Sequence, residues 1–273
     1  MKPMKCFLSN YFVPTLVFGS LVFLSAQSVS AQKNDALFQA GTLISLLQGV
    51  YEGDVDFKEL GLRGDTGLGT FNGVDGEMIG LDGHYYRIDV NGVAAEVPSE
   101  TQSPFAAVSH FQPTIHFDVQ STDNLEALCQ MLDDQLDTFN IFYMMRLEVE
   151  LDSIQLRSVA CQTKPYRPLI EVLPEIQRVF ELTDTKGTLV CLRSPKYSDP
   201  LNVPGYHFHY IDQDRKTGGH VFNLKLKKAK VSIQPIRHWN IALMNNALFD
   251  RANLEENVQK AVQKVEKSDN KNN

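Results

Sequence analysis

The chain has 273 residues, 26 Lys and Arg against 33 Asp and Glu, a formal net charge of −7, and 43% hydrophobic residues. That is enough chain to bury a sizeable core in one large domain or two small ones. The acidic balance, with no basic face and no interleaving of aromatic and basic residues, excludes nucleic acid as an expected partner.

The chain starts with the features of an export signal. Lys2 and Lys5 precede an almost uninterrupted apolar stretch from Val13 to Ala26, and Val29 and Ala31 place small residues at a cleavage position before Gln32. The stretch is too short and wrongly flanked for a permanent membrane span, and a retained N-terminal anchor is the alternative to cleavage. Residues 1–31 are therefore expected to be a secretory signal peptide. The mature chain is expected to be exported to periplasm or medium, with no stable membrane insertion after cleavage. Cys6 precedes the apolar stretch, so it is no lipid-attachment site. Cys129, Cys161 and Cys191 remain, an odd number at wide spacing, which excludes a disulfide framework. One bridge and three free thiols both stay open.

Leu37 to Val50 is strongly apolar, and its periodicity does not separate helix from strand. From Gly53 to Val97 the pairs Asp75-Gly76, Asp82-Gly83 and Asn91-Gly92 punctuate short apolar runs, which predicts a β-meander. Residues 98–112 read as a polar loop and 114–119 as a strand. Leu125, Leu128, Leu132 and Leu136 recur at helical spacing, so 123–138 is an amphipathic helix. Ile141–Leu151 and Ile154–Val159 read as strands joined at Asp152-Ser153. The rigid stretch Lys164-Pro165-Tyr166-Arg167-Pro168 marks the expected boundary between an N-terminal β-rich domain, 32–165, and a C-terminal metal-binding domain, 166–273. Beyond it come a short helix over 169–177 interrupted by Pro174, and a hairpin over 179–192 turning at Asp184–Gly187. A C-terminal helix is marked by Leu254, Val258, Ala261, Val262 and Val265. The expected fold class is α+β and β-rich: two β-sheet-based subdomains with a few helices.

Between the last two elements lies Gly205-Tyr206-His207-Phe208-His209-Tyr210. On a strand, residues two apart share a face, so His207 and His209 point together. The polar, Gly-rich segment 212–219 suits a turn, and His220 opens the next apolar run. An antiparallel hairpin would set His220 opposite His209. Three imidazoles on one face form the ligand set of a metal centre with open coordination positions. The plainer account is three unrelated histidines in a polar hairpin. Lys225 and Lys227 alternate outward on the following strand and read as a solvated face. His84, His110, His116 and His238 have no spacing that links them to this set, and Trp239 reads as core or interface.

Glu77 follows the tight turn at Asp75-Gly76 and could reach a neighbouring cleft, or simply face solvent. Arg157 alternates with Gln155 and Val159 and could hold a carboxylate through two hydrogen bonds. On spacing alone it is no better a candidate than Arg146.

Longer motifs carry a resemblance. Gly67-Leu68-Gly69-Thr70-Phe71-Asn72-Gly73-Val74-Asp75-Gly76-Glu77-Met78 resembles the N-terminal signature of the bacterial α-acetolactate decarboxylases. Leu201-Asn202-Val203-Pro204-Gly205-Tyr206-His207-Phe208-His209-Tyr210-Ile211 resembles that family's metal motif, with Gly218-Gly219-His220-Val221 after it. The likeness runs through Tyr51–Asp54, Lys164–Tyr166 and Phe249–Ala252, in the family's order. It implies a Zn2+-dependent lyase that converts (S)-2-acetolactate to (R)-acetoin and carbon dioxide. It implies His207, His209 and His220 as ligands, Glu77 and Arg157 as catalytic residues, and Thr70 and Arg157 as substrate contacts. It also implies a second glutamate from the tail, best matched by Glu266 with Glu255 and Glu256 competing, and a homodimer. Two other accounts use the same histidines. A cupin-like metal oxygenase would place a Glu soon after the paired histidines, where this chain has Asp212 and Asp214 in a polar turn. A secreted binding protein would use zinc only to staple the hairpin.

Overall fold

The structure, a computed structural model, describes residues 36–255. Fourteen strands are assigned there: β1 (Ala36–Ala40), β2 (Val55–Asp56), β3 (Thr66–Thr70), β4 (Glu77–Leu81), β5 (His84–Ile88), β6 (Ala94–Glu96), β7 (Gln102–Ser103), β8 (Ala106–Ser109), β9 (Ile115–Val119), β10 (Phe142–Val159), β11 (Gln177–Ser194), β12 (Gly205–Asp212), β13 (Gly218–Ile236) and β14 (His238–Ala242). Five short helices accompany them: α1 (Leu43–Leu47), α2 (Phe57–Arg63), α3 (Leu125–Asp133), α4 (Leu169–Ile176) and α5 (Ala247–Arg251). Capping sets several helix starts. Thr42 and Ser45 form a capping box on α1, while Asp56 and Asn124 accept from Glu59 N and Ala127 N at the starts of α2 and α3. Among the described residues no helix is long and apolar enough to cross a membrane.

Two sheets organise the chain. A seven-stranded sheet has the order β14-β1-β8-β3-β4-β5-β6, with β1 and β14 parallel. A second sheet has the order β10-β11-β12-β13-β9, and β10 also pairs with β13, so β10 to β13 close into a ring. The sheets pack through alternate residues of facing strands. Leu37, Leu68, Ile79 and Ile88 of the first meet Met144, Val190, Leu192 and Ile211 of the second. At the start of β10 both faces are buried, because Tyr143 and Met145 turn instead into the core beneath α3. Trp239 joins this layer, packing on Phe142 and donating to Gln39 Oε1 at 3.1 Å.

Several sequence expectations change. The ambiguous run 37–50 is both strand and helix, since β1 ends at Ala40 and Gly41, with φ of +67°, redirects the chain into α1. The expected loop 98–112 holds β8, an inner strand of the first sheet. Its run Ala106-Ala107-Val108 is short and small, giving little periodic signal, yet all of it is buried. The two strands expected to meet at Asp152-Ser153 are one strand, β10, and the hairpin expected at Asp184–Gly187 is the unbroken β11. Long pairing on both sides overrides these turn signals: β10 and β11 stay in register from Val159↔Gln177 to Tyr143↔Arg193. At the break Asp152 and Asp184 drop out of the ladder, and Lys227 of β13 pairs with both, at 3.6 and 2.6 Å. The sheets also divide differently from the connector Lys164–Pro168. β10 before it pairs with β11 and β13 after it, while β14 returns to the first sheet. The expected helix 123–138 is shorter, starting at the Asn124 cap. The helix marked by 254–265 lies largely outside the described residues. The three cysteines are free, with Cys191 buried and Cys161 exposed, and burial pushes the Cys129 thiol up to about 12.

Leu192 is fully buried between the two sheets. Leu192→Ala is expected to lose about 2–5 kcal/mol of stability, as buried Leu→Ala changes do. Denaturant unfolding measures this, and a loss below about 1 kcal/mol would contradict the packing described.

Candidate active site and metal centre

The hairpin geometry follows from strand register. β12 and β13 pair as His209↔His220, Tyr210↔Gly219 and Ile211↔Gly218, which puts His220 directly across from His209. His207, two residues earlier, faces the same way. The three rings lie 4.8, 5.0 and 5.4 Å apart by centroid. All three are buried, and one nitrogen from each lies within 4.8 Å of the others. His207 Nε2 and His209 Nε2 lie 3.1 Å apart.

One hydrogen bond aims His209. Its Nδ1 donates to the Met78 carbonyl at 2.8 Å, which fixes the tautomer and leaves Nε2 for the cluster. That bond runs from β12 of one sheet to β4 of the other. Burial also prepares the rings chemically. It holds the His207 pKa well below the ordinary range, with His209 and Arg157 adding to the effect. Burial lowers His209 too, against the opposing pull of Glu77 and the Met78 carbonyl. Neutral imidazoles are the form that binds metal. Three buried, converging imidazoles fit a metal ion, and this cluster could hold one.

Two charged groups complete the surroundings. Glu77 opens β4 and is 6% exposed, and Arg157, near the end of β10, is 5% exposed. Glu77 Oε1 is 3.4 Å from Arg157 Nε, and Oε2 is 3.4 Å from His209 Nε2. The guanidinium also lies over the Phe222 ring, 5.2 Å from its centroid. Arg157 is paired in register with His220. That close approach depends on Gly219, whose φ is +157° and where a Cβ would stand 2.7 Å from the Arg157 carbonyl oxygen. Arg146, its equal on sequence spacing, instead pairs with Asp82 at the surface.

Thr70 closes the turn before Glu77. Its hydroxyl donates to the Gly76 carbonyl at 2.7 Å, and its backbone pairs with Glu77. Thr70, Glu77, Arg157 and His207 share a small cavity whose remaining wall is apolar: Leu43 and Leu46 of α1, Phe105, Val159, and Leu169 and Leu173 of α4, with Val74. Of the tail glutamates, Glu266 and Glu256 lie outside the described residues. Glu255 is exposed, while Leu254 beside it packs on the apolar cluster of α1 and α4. His84 and His116 are exposed and bonded to Glu96 and Ser232, His238 is exposed as well, and His110 is half-buried beside Asp65. Sequence reasoning missed the Met78 carbonyl and the apolar wall. Four of the wall's residues, Leu43, Leu46, Leu169 and Leu173, stood in the apolar runs 37–50 and 169–173, but nothing in the runs showed that they converge.

A β-rich protein with a buried cluster able to hold a metal, an arginine–glutamate pair against it and a small apolar cavity above it is built as an enzyme for a small molecule. A model of the alpha-acetolactate decarboxylase family matches residues 37–256. The chain is 38% identical over 239 residues to the alpha-acetolactate decarboxylase of Methanosarcina mazei, covering 88% of this chain and 83% of that one. It is 39% identical over 224 residues to that of Brevibacillus brevis, covering 82% and 78%. The crystal structure of the enzyme from Bacillus subtilis strain 168 superposes with a TM-score of 0.83 at 36% identity, covering 85% of this chain and 100% of that one. The chain belongs to the alpha-acetolactate decarboxylase family, and is an enzyme of that carboxy-lyase class.

The depressed histidine pKa values set a sign for stability. In the metal-free protein the folded state keeps these rings neutral, while the unfolded chain takes up protons below about pH 6.5. Stability is therefore expected to fall as pH drops through that value, by up to about 1.4 kcal/mol per pH unit for each ring. Unfolding of chelator-treated protein at pH 7.5 and 5.5 measures it, with His207→Asn flattening the dependence. A pH-independent native midpoint would contradict the burial argument.

Proposed function

We propose that this chain decarboxylates (S)-2-acetolactate to (R)-acetoin with a zinc ion held by His207, His209 and His220. The observation that carries the reading is the convergence of those buried imidazoles with Glu77 and Arg157 from two other strands. Three neutral nitrogen donors with positions left open suit zinc. When bound, the ion supplies Lewis-acid stabilisation of negative charge developing on substrate oxygens.

The protein's own groups do the rest. Loss of carbon dioxide breaks a carbon–carbon bond and leaves its electron pair on the former carboxyl-bearing carbon, delocalised into the neighbouring ketone. Arg157 orients the departing carboxylate. Its pairing with Glu77 tempers its charge, so the substrate is positioned rather than trapped in the ground state. A carboxyl group then delivers a proton to one face of that carbon and sets the product's configuration. Glu77 is placed for this, lying against both Arg157 and His209. Glu266 of the tail is the second carboxyl in this reading, supported by the docking of Leu254 on the cavity's apolar wall. Thr70 holds the turn that presents Glu77 and lines the substrate cavity. The apolar wall excludes water, which strengthens each of these electrostatic contacts.

The same reading has residues 1–31 as a signal peptide cleaved near Ala31, an exported mature enzyme, and a homodimer with no nucleic-acid partner. It is supported by the charge pattern and apolar run of the leader and by the acidic composition.

Purified protein incubated with racemic 2-acetolactate is expected to form acetoin well above the spontaneous rate. A chelator should abolish this and zinc restore it, and metal analysis should find about one zinc per chain. Acetoin formation indifferent to chelation would overturn the metal role. Glu77→Gln is expected to keep the metal and lose about 10²–10⁴-fold in kcat, the range for a general acid. Full activity would remove its role. Arg157→Lys, which loses the planar fork, is expected to lower kcat/KM by tenfold or more.

A further inference from the structure

We infer that Val74 is the residue by which this site reads the alkyl substituent on the carbon that loses carbon dioxide, an inference that rests on the decarboxylase reading above. The observation is a backbone one. Val74 has φ = +53°, in the left-handed region. The other non-glycine residues with positive φ among those described are Asp82, Asp184 and Arg215, all polar. Val74 is the one β-branched residue in the set, and a β-branched side chain crowds its own backbone there. Glycine would relieve the strain, and the same turn already uses it at Gly73 and Gly76, with φ of +76° and +86°. A strained residue persists where its surroundings over-determine it, and such residues cluster at functional sites.

The surroundings do so here. The turn is tied on both sides: Gly73 N donates to the Tyr51 carbonyl at 2.7 Å, Gln162 N donates to the Gly73 carbonyl at 2.7 Å, and the Thr70 hydroxyl holds the Gly76 carbonyl. Val74 is 4% exposed and faces the cavity beside Thr70, Glu77, Arg157 and His207. The other apolar wall residues come from α1, α4, β10 and the β7–β8 link, where no side-chain-bearing residue has positive φ. Val74 alone is carried by the turn that also presents Glu77, three residues on.

Substrate chemistry supplies the partner. On a 2-hydroxy-3-keto acid the two oxygens of the hydroxyl and ketone go to the imidazole cluster, and the carboxylate goes to Arg157. The alkyl group on the tetrahedral carbon is the substituent there with no polar partner. It is left facing the cavity's apolar wall. Val74 is the part of that wall carried on the turn that presents Glu77, and its two methyl groups set the room for a methyl against an ethyl substituent.

The test compares kcat/KM for 2-acetolactate and for its homologue with ethyl in place of the 2-methyl group, in the native enzyme, Val74→Ala and Val74→Leu, with metal content measured on each. Val74→Ala is expected to raise the ethyl-to-methyl ratio by about tenfold or more, the scale of one methylene in an apolar pocket. Val74→Leu is expected to lower it by a similar factor, and both should keep the native metal content. If Val74→Ala does not fold, the Val74→Leu ratio decides. An active native enzyme with both ratios within about twofold of native overturns this inference alone, since a methylene that touched the wall would count for more. A native chain that turns over neither substrate overturns the decarboxylase reading beneath it.

Discussion

The hydrogen bond from His209 Nδ1 to the Met78 carbonyl is the contact on which the site depends. It joins two sheets that meet mainly through non-directional apolar packing, alongside a bond from Ser158 Oγ to the Ile88 carbonyl at 2.8 Å, and it joins them at a metal-capable ring. Packing alone tolerates small sliding of one sheet on the other. A 2.8 Å bond between a ring nitrogen and a main-chain oxygen does not. Glu77 is the residue before Met78, so the bond that orients the imidazole also sets the carboxylate beside it.

Burying Arg157 and Glu77 together answers a second constraint. A lone charge at 5% exposure would be strongly disfavoured, whereas paired charges keep a polar centre inside an apolar wall. The pair is not a tight one at 3.4 Å, and each member has another neighbour: Phe222 for the arginine, His209 for the glutamate. Each charge is thus shared between two neighbours inside the apolar wall. Gly219 allows this arrangement, because only without a Cβ can β13 come so close to the backbone of Arg157.

How much of this was legible depended on whether the signal was local. Two-residue spacing put His207 and His209 on one face, and a polar turn put His220 opposite, because strand register is a short-range property. The approach of Glu77 and Arg157 was not derivable from spacing. It depends on which sheets face each other, and Arg146 looked equally good until the fold sent it to Asp82. Only the likeness of long motifs singled out Arg157 in the sequence. Turn signals at Asp152 and Asp184 failed for the opposite reason. They are real local preferences, and they survive as a break in the ladder and a positive φ at Asp184. Pairing along the rest of β10 and β11 outweighs them. The small residues of β8 gave no signal because an inner strand lined with alanine needs neither bulk nor alternation.

The parallel pairing of β1 with β14 bears on how the chain is made. Ala36 lies beside His238, so the strand made first waits for a partner roughly 200 residues behind it. Contacts so distant in sequence require the greatest loss of chain entropy and form late. Until then one edge of β1 offers open main-chain groups to any other extended segment. A newly made chain thus stays open to mispairing at this edge until β14 is made, and slowed translation between the two strands would prolong that interval.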